Sequence, residues 1–237
     1  MTIKYSNELH AHYLERTRHS SARIVPLVLE WLAPRSVVDV GCGHGHWLKP
    51  FVDAGIADVR GMDGAYVDTN QLVFPREKFQ VVDLNAPPAA DRRFDLAISL
   101  EVAEHLNPAS SEPFVSLLTS LSDCILFSAA VPGQPGNDHI NARWPGYWRK
   151  RFAAHGYVAL DGLRPRIWHD EAVMMCYRQN TMLMVREARL PDFPALSGMP
   201  RVNCLTLVDE EAMDYYVKQQ LPRWLRWWRG MMNNEGQ

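Results

Sequence analysis

The run Val37-Val38-Asp39-Val40-Gly41-Cys42-Gly43-His44-Gly45-His46 constrains this chain more than any other stretch. It opens as a β-branched segment of the kind buried in parallel sheets, breaks into alternate glycines, and gives way at Trp47 to apolar residues at helical spacing. A strand, a tight turn and a helix are the elements it can form. Glycines at alternate positions admit positive φ and let a ligand approach the main chain, while the following helix N-terminus offers free N–H groups. An adenosine-bearing ligand suits such a turn. A Walker loop is excluded, because no Lys-Ser or Lys-Thr pair follows the last glycine, and glycines at 41, 43 and 45 do not reproduce the GxGxxG of dinucleotide folds.

Three more apolar segments run into a carboxylate. A second strand, predicted over 58–62, ends at Asp63, whose side chain can accept both hydroxyls of a ribose; a third over 78–82 ends at Asp83, and a fourth over 94–100 at Glu101. Helical patterns separate them, which places these groups at the carboxyl edge of a parallel sheet, where ligands of such folds bind. This set resembles the Rossmann-like class of S-adenosylmethionine-dependent methyltransferases over about residues 20–186. The resemblance implies an α/β fold: a Rossmann-like seven-stranded, mostly parallel sheet with helices on both faces. It also implies a methyltransferase domain over 1–187 with an N-terminal helical cap at 1–35, and a C-terminal extension over 188–237. S-Adenosylmethionine is the implied cofactor, held by Asp39, Gly41, Cys42, Gly43, Asp63, Gly64, Asp83, Leu84 and Leu100, with Asp83 facing the adenine amino group. The competing reading is a nucleotide-sugar or NAD enzyme of related fold.

A hydrophobic content of 47% and a charged content of 22% belong to a soluble globular protein. The net charge of -2 argues against a general nucleic-acid binder, which needs a basic surface for phosphates. Cys42, Cys124, Cys176 and Cys204 show no CxxC spacing, so neither a disulfide framework nor a thiolate zinc site is indicated, and a reducing cytoplasm is the expected location. Residues 1–25 contain no apolar core of signal-peptide length and no run reaches the length of a membrane span, so neither export nor a transmembrane segment is expected.

Ahead of the first strand stand Tyr5, His10, His12, Tyr13, Arg16 and Arg18, then an amphipathic helix over 21–32; Tyr5 and Tyr13 are lid candidates. Further helices are predicted over 47–54, with Pro50 near its first turn and Gly55 ending it, and over 112–121 and 144–154. Strands are predicted over 124–129, 157–160 and 181–186, and a loop over 130–141, where two prolines and two glycines oppose regular structure. An acidic helix over 209–219 and a Trp/Arg tail over 221–229 follow. The tail suits an anionic membrane interface, or else self-packing or a homodimer contact.

Methyl transfer from a sulfonium is an in-line displacement with an excellent leaving group, so the protein must position the nucleophile and, for a hydroxyl, remove its proton. Glu101, Glu104, His105 and His139 are best placed for this. Glu101-Val102-Ala103-Glu104-His105 is expected to turn into a helix, so that positions 101, 104 and 105 share a face and present donors able to bind a divalent cation. This ExxEH looks like the metal-binding motif of ubiquinone-biosynthesis O-methyltransferases and small-RNA 2′-O-methyltransferases, where a histidine from the fifth-strand loop completes a magnesium-type site. His139 occupies the corresponding loop. The resemblance thus implies a divalent metal, magnesium or zinc, on Glu101, Glu104, His105 and His139. Two other readings stay open: His139 as a metal-free general base with Glu101 beside it, and purely structural roles.

Residues 137–148, with His139, Asn141, Arg143, Trp144, Tyr147 and Trp148, look like those of bacterial methyltransferases encoded with glycan or secondary-metabolite genes, and would suit a small polyhydroxylated or glycan acceptor. A packed helix face explains Trp144, Tyr147, Trp148 and Phe152 equally. Tyr177, Arg178, Gln179 and Asn180 are pocket lining or a surface loop. N-methylation of a small molecule, and a non-catalytic partner that binds the same cofactor, are the alternative functions.

Overall fold

The apolar segments pair into one sheet of seven strands in the order β3-β2-β1-β4-β5-β7-β6, in a computed structural model that describes residues 7–201, with side chains from residue 13 on. The strands are β1 (Ser36–Val40), β2 (Asp58–Asp63), β3 (Phe79–Val81), β4 (Leu96–Leu100), β5 (Cys124–Ser128), β6 (Tyr157–Leu160) and β7 (Met182–Arg186). β1 to β5 pair in parallel, and β7 runs antiparallel to both β5 and β6. Strand order leaves β1 in both directions, so a crevice opens at the carboxyl ends of β1 and β4, the point where such sheets bind ligands.

Helices cover both faces. α1 (Asn7–Leu32) and α2 (Lys49–Asp53) bury Ile24, Val28 and Phe51 against Val37, Leu96 and Ile98 on one face. α3 (Ser111–Leu121) and α4 (Pro145–Ala154) bury Phe114, Leu118, Trp148 and Phe152 against Val38, Ala97 and Phe127 on the other. Successive strand residues point to opposite faces, which is why β4 and β5 had to be apolar at nearly every position and read as continuous runs. Two short helices, α5 (Arg164–Ile167) and α6 (Met175–Asn180), precede β7.

Several elements depart from expectation. α1 runs back to Asn7 rather than starting near Ser21, because Thr17, Ser20 and Ser21 are buried with their hydroxyls donated to the carbonyls of Tyr13, Arg16 and Arg18. Hydroxyls satisfied in this way pack as apolar groups, and the apolar period alone missed them. α2 begins only at Lys49: Pro50 has no N–H to donate and sits in the first turn, leaving Trp47 and Leu48 buried in the preceding turn. β3 ends at Val81, so Asp83 lies in the turn beyond the strand.

After β7 the chain makes 3-10 turns at Glu187–Asp192 and Pro194–Leu196, buries Leu196, and bridges Leu160 with Arg201. The predicted acidic helix, the Trp/Arg tail, Cys204 and the lid candidate Tyr5 lie outside the described residues. Among the described residues no helix is long and apolar enough to cross a membrane.

Candidate active site

Gly41 takes φ 85° at the end of β1, and a Cβ there would lie 2.4 Å from the Val102 side chain, so the turn demands glycine for conformation and for space. The amides of Gly41 and Cys42 donate to Met62 O at 2.7 and 3.2 Å, tying the turn to the tip of β2. There Asp63 accepts from Gly43 N at 2.7 Å, from Gly64 N at 2.6 Å and from the Tyr66 hydroxyl. Behind it Asp39 is 2% exposed and its Oδ2 has no hydrogen-bond partner. Burial, and then the charge of Asp63, hold the Asp39 carboxyl well above the usual carboxylate range.

A cavity of about 570 Å³ opens in front of this turn, lined by Gly41, Asp63, Gly64, Asp83, Leu84 and Glu101 among others. Four residues assigned to cofactor contact do not line it: Asp39, Cys42, Gly43 and Leu100. The Cys42 side chain is buried with its thiol donating to Gly43 O, and Leu100 is packed in the core, because strand residues alternate between the two faces. Asp83 is exposed and accepts from Asn85 N at 2.9 Å. Sequence reasoning missed Tyr66 and Val102. Each follows closely on a strand-ending carboxylate, the local signal that could have found them.

A second cavity, of about 450 Å³, shares Glu101 and His105 with the first and adds Glu104, Gln134 and His139, with Tyr13 and Arg16 of α1 and Met174, Met175 and Cys176 of α6 and its approach. Glu101 stands between the two. Its φ is 56°, a left-handed conformation that costs a non-glycine residue free energy and that recurs at functional sites. Its N–H donates to Ser128 O and to Ser128 Oγ, at 3.1 and 3.0 Å. Its carboxylate accepts from Gln134 Nε2 at 2.6 Å and from Asn180 Nδ2 at 3.2 Å, and Asn180 also donates to Gln134 Oε1 at 2.8 Å. Burial raises the Glu101 pKa while these amide donors oppose the rise.

Glu101, Glu104 and His105 therefore do not share a helix face. The left-handed Glu101 and then Val102, at φ -123° and ψ -47° neither helical nor extended, break the chain before a single 3-10 turn at Ala103–His105. What converges instead is Glu104, His105 and His139, whose ligand atoms all lie within 4.8 Å of one another; Glu101, with both oxygens engaged by amides, stands outside this group. Glu104 is fully buried, and neither carboxylate oxygen has a hydrogen-bond partner. Burial, and then the charge of Glu101, push its pKa well up. The His105 and His139 rings meet edge to face at 5.0 Å, and both pKa values are lowered, chiefly by burial, so both imidazoles are neutral at neutral pH. With Nδ1 of His139 donating to Gln134 O at 3.3 Å, its Nε2 carries the lone pair.

Asn141 holds the His139 loop in place. It is 1% exposed; its amide donates to Ala103 O and Ser111 Oγ, and its N–H to Glu104 O at 2.8 Å. It is thus a staple and not a pocket wall. Trp148 and Phe152 pack on Phe127, Trp144 is exposed, and none of the three lines the second cavity. Residues 177–180 form the end of α6 and not a surface loop: Tyr177 packs on Trp47 at 4.9 Å, and Gln179 and Asn180 are buried.

A mostly parallel sheet whose order reverses at a glycine turn, with carboxylates at the strand tips, together with the family match below, makes this a methyltransferase of the Rossmann-like, S-adenosylmethionine-dependent class. The profile of the family described as "Methyltransferase domain" matches residues 12–160, more than half of the chain, and the chain belongs to that family. No curated protein sequence matches it. Among solved structures it is similar to magnesium protoporphyrin IX methyltransferase (ChlM) of Synechocystis PCC 6803 with bound SAH, at 20% identity and a TM-score of 0.54, covering 79% of this chain and 90% of that one. It is also similar to SAM-bound CalS10, an amino pentose methyltransferase of Micromonospora echinaspora, at 14% identity and a TM-score of 0.54, covering 78% and 99%. DesVI of Streptomyces venezuelae aligns at 14% identity and a TM-score of 0.51, covering 78% and 99%.

Proposed function

We propose that this chain transfers a methyl group from S-adenosylmethionine to a hydroxyl of a sugar, glycan or secondary-metabolite acceptor. The observation that carries the reading is the convergence of Glu104, His105 and His139 on the second cavity, which shares His105 and Glu101 with the first. ChlM and CalS10 are described with a porphyrin and an amino pentose, so one fold serves very different acceptors and the acceptor must be argued from the site.

The larger cavity takes the cofactor. Asp63 is an acceptor-only carboxylate at a strand tip beside a bare glycine backbone, which fits a ribose diol, with Asp83 and Leu84 on the adenine side. The unpartnered carboxylate of Glu104, with two neutral imidazoles near it, fits a divalent cation, and two nitrogen donors favour zinc over magnesium. Such an ion, when bound, lowers the pKa of a coordinated hydroxyl. Glu101, held by Gln134 and Asn180, borders both ligands and orients the acceptor beside the methyl group. A second reading is favoured by the His139 Nδ1 contact: with Nε2 free and neutral, His139 can itself take the hydroxyl proton.

Titration calorimetry with S-adenosylhomocysteine, after chelator treatment and then with zinc or magnesium added, tests the choice. Cofactor binding plus a stoichiometric metal signal that Glu104→Ala abolishes supports the cation. Cofactor binding with no metal signal leaves His139 as base, and near-full activity of His139→Ala with an unaltered pH profile would point to nitrogen as the acceptor atom.

A further inference from the structure

Arg16 has no part in the reaction as described, yet it lines the cavity assigned to the acceptor. Tyr13, Arg16, Thr17 and Ser20 recur at three- and four-residue spacing, which puts them on one face of α1. Three contacts fix that face against the approach to α6. Thr17 Oγ1 lies 3.9 Å from Met174 Sδ, Met174 N donates to Ser20 Oγ at 3.0 Å, and Arg23 pairs with Asp170 at 2.6 Å. Arg23 is thereby neutralised. Arg16, partly buried, forms no ion pair with any described residue. A guanidinium partly withdrawn from water and held in no ion pair among the described residues, although Glu101 and Glu104 line the same cavity, is a candidate site for a ligand's anion.

We propose that the methyl acceptor carries a carboxylate, which Arg16 binds at the α1 wall while the acceptor's hydroxyl lies toward Glu104, His105 and His139. A uronic acid or a hydroxy-aromatic acid has both groups. The inference rests on reading the second cavity as the acceptor's. The planar guanidinium matches a carboxylate through two parallel N–H bonds. A dianionic phosphate is disfavoured, because Arg16 is the one Lys or Arg among the residues that line the cavity and a second negative charge would find no further cation there. Met174, Met175 and Pro135 offer apolar surface to the body of such a ligand.

The test is binding to the complex with S-adenosylhomocysteine, without turnover or added metal. D-Glucuronate and 4-hydroxybenzoate are each titrated against their methyl esters, with glucose 6-phosphate as the phosphate probe. At least one acid should bind about tenfold or more tightly than its ester. Arg16→Gln should erase that difference, Arg16→Lys should restore part of it, and the S-adenosylhomocysteine affinity of both variants should match the wild type. Equal binding of acids and esters, no binding of either acid, preference for the phosphate, or a preference that survives Arg16→Gln would each overturn the proposal. Because the comparison reads binding alone, its outcome does not depend on whether the methyl group goes to oxygen or nitrogen, which His139→Ala tests separately.

Discussion

Asp63→Ala should weaken S-adenosylhomocysteine binding by about ten- to a hundredfold. The carboxylate gathers Gly43 N, Gly64 N and the Tyr66 hydroxyl, and of these only the Tyr66 side chain can swing away to admit a ribose diol. Hydrogen bonds to a charged acceptor contribute about 1.5–3 kcal/mol net, which corresponds to that range of affinity. The substitution also leaves the two glycine amides without their acceptor, at about 1–3 kcal/mol if one stays unsatisfied. At about 2–4 °C per kcal/mol for a chain of this size, the melting temperature should fall by roughly 2–12 °C. Ligand comparison separates the two effects. The wild type should bind 5′-methylthioadenosine more tightly than its 2′,3′-dideoxy form, whereas Asp63→Ala should scarcely distinguish them, because the group that reads the diol has gone. Calorimetry on both proteins gives the four affinities. A folded Asp63→Ala that binds S-adenosylhomocysteine within about twofold of the wild type, or that keeps the full dideoxy penalty, would refute the ribose assignment.

Two other substitutions probe the buried acid and the histidine loop. The folded-state pKa of Asp39 is raised by burial and by Asp63, so its protonated form favours the fold at low pH, and this stabilisation is lost as pH climbs from the ordinary carboxylate range through the raised value. Thermal melts of the cofactor-free protein should therefore decline with pH over that window, and Asp39→Asn should flatten the decline; parallel curves would show that Asp39 does not titrate there. In Gly136→Ala the new Cβ would fall 2.2 Å from Cε1 and Nε2 of His139, so the ring must shift from its place beside Glu104 and His105. Misplacing a reacting group by about 1 Å can cost roughly a hundredfold in rate. Turnover should fall by that order with S-adenosylhomocysteine affinity unchanged, and wild-type turnover would remove His139 from the reaction centre.

Where the residues form their own local structure, the sequence was a good guide. Val37 to Gly45 is a strand and turn by β-branching and by glycine's access to positive φ, and Gly41 shows both that φ and the lack of room for a Cβ. Asp63 closes β2 as expected, whereas Asp83 overshoots β3, because strand ends are set by pairing along the edge and not by composition.

The helical spacing read into Glu101, Glu104 and His105 failed for a physical reason. The Ser128 carbonyl and hydroxyl, together with the Gln134 and Asn180 amides, hold Glu101 in a left-handed conformation that no local propensity would choose. His139 still reaches Glu104 and His105, but through Asn141, whose bonds to Ala103, Glu104 and Ser111 exist only once the fold has closed. By itself, then, the sequence determined the strands, the glycine turn, the acid at the tip of β2 and the residue types from which a site could be drawn, since hydrophobic period and backbone sterics act over a few residues. Which of those residues meet, that Glu104 is buried without a partner, and that Arg16 faces the second cavity, were decided by tertiary structure, because strand order and buried amide donors join groups far apart along the chain.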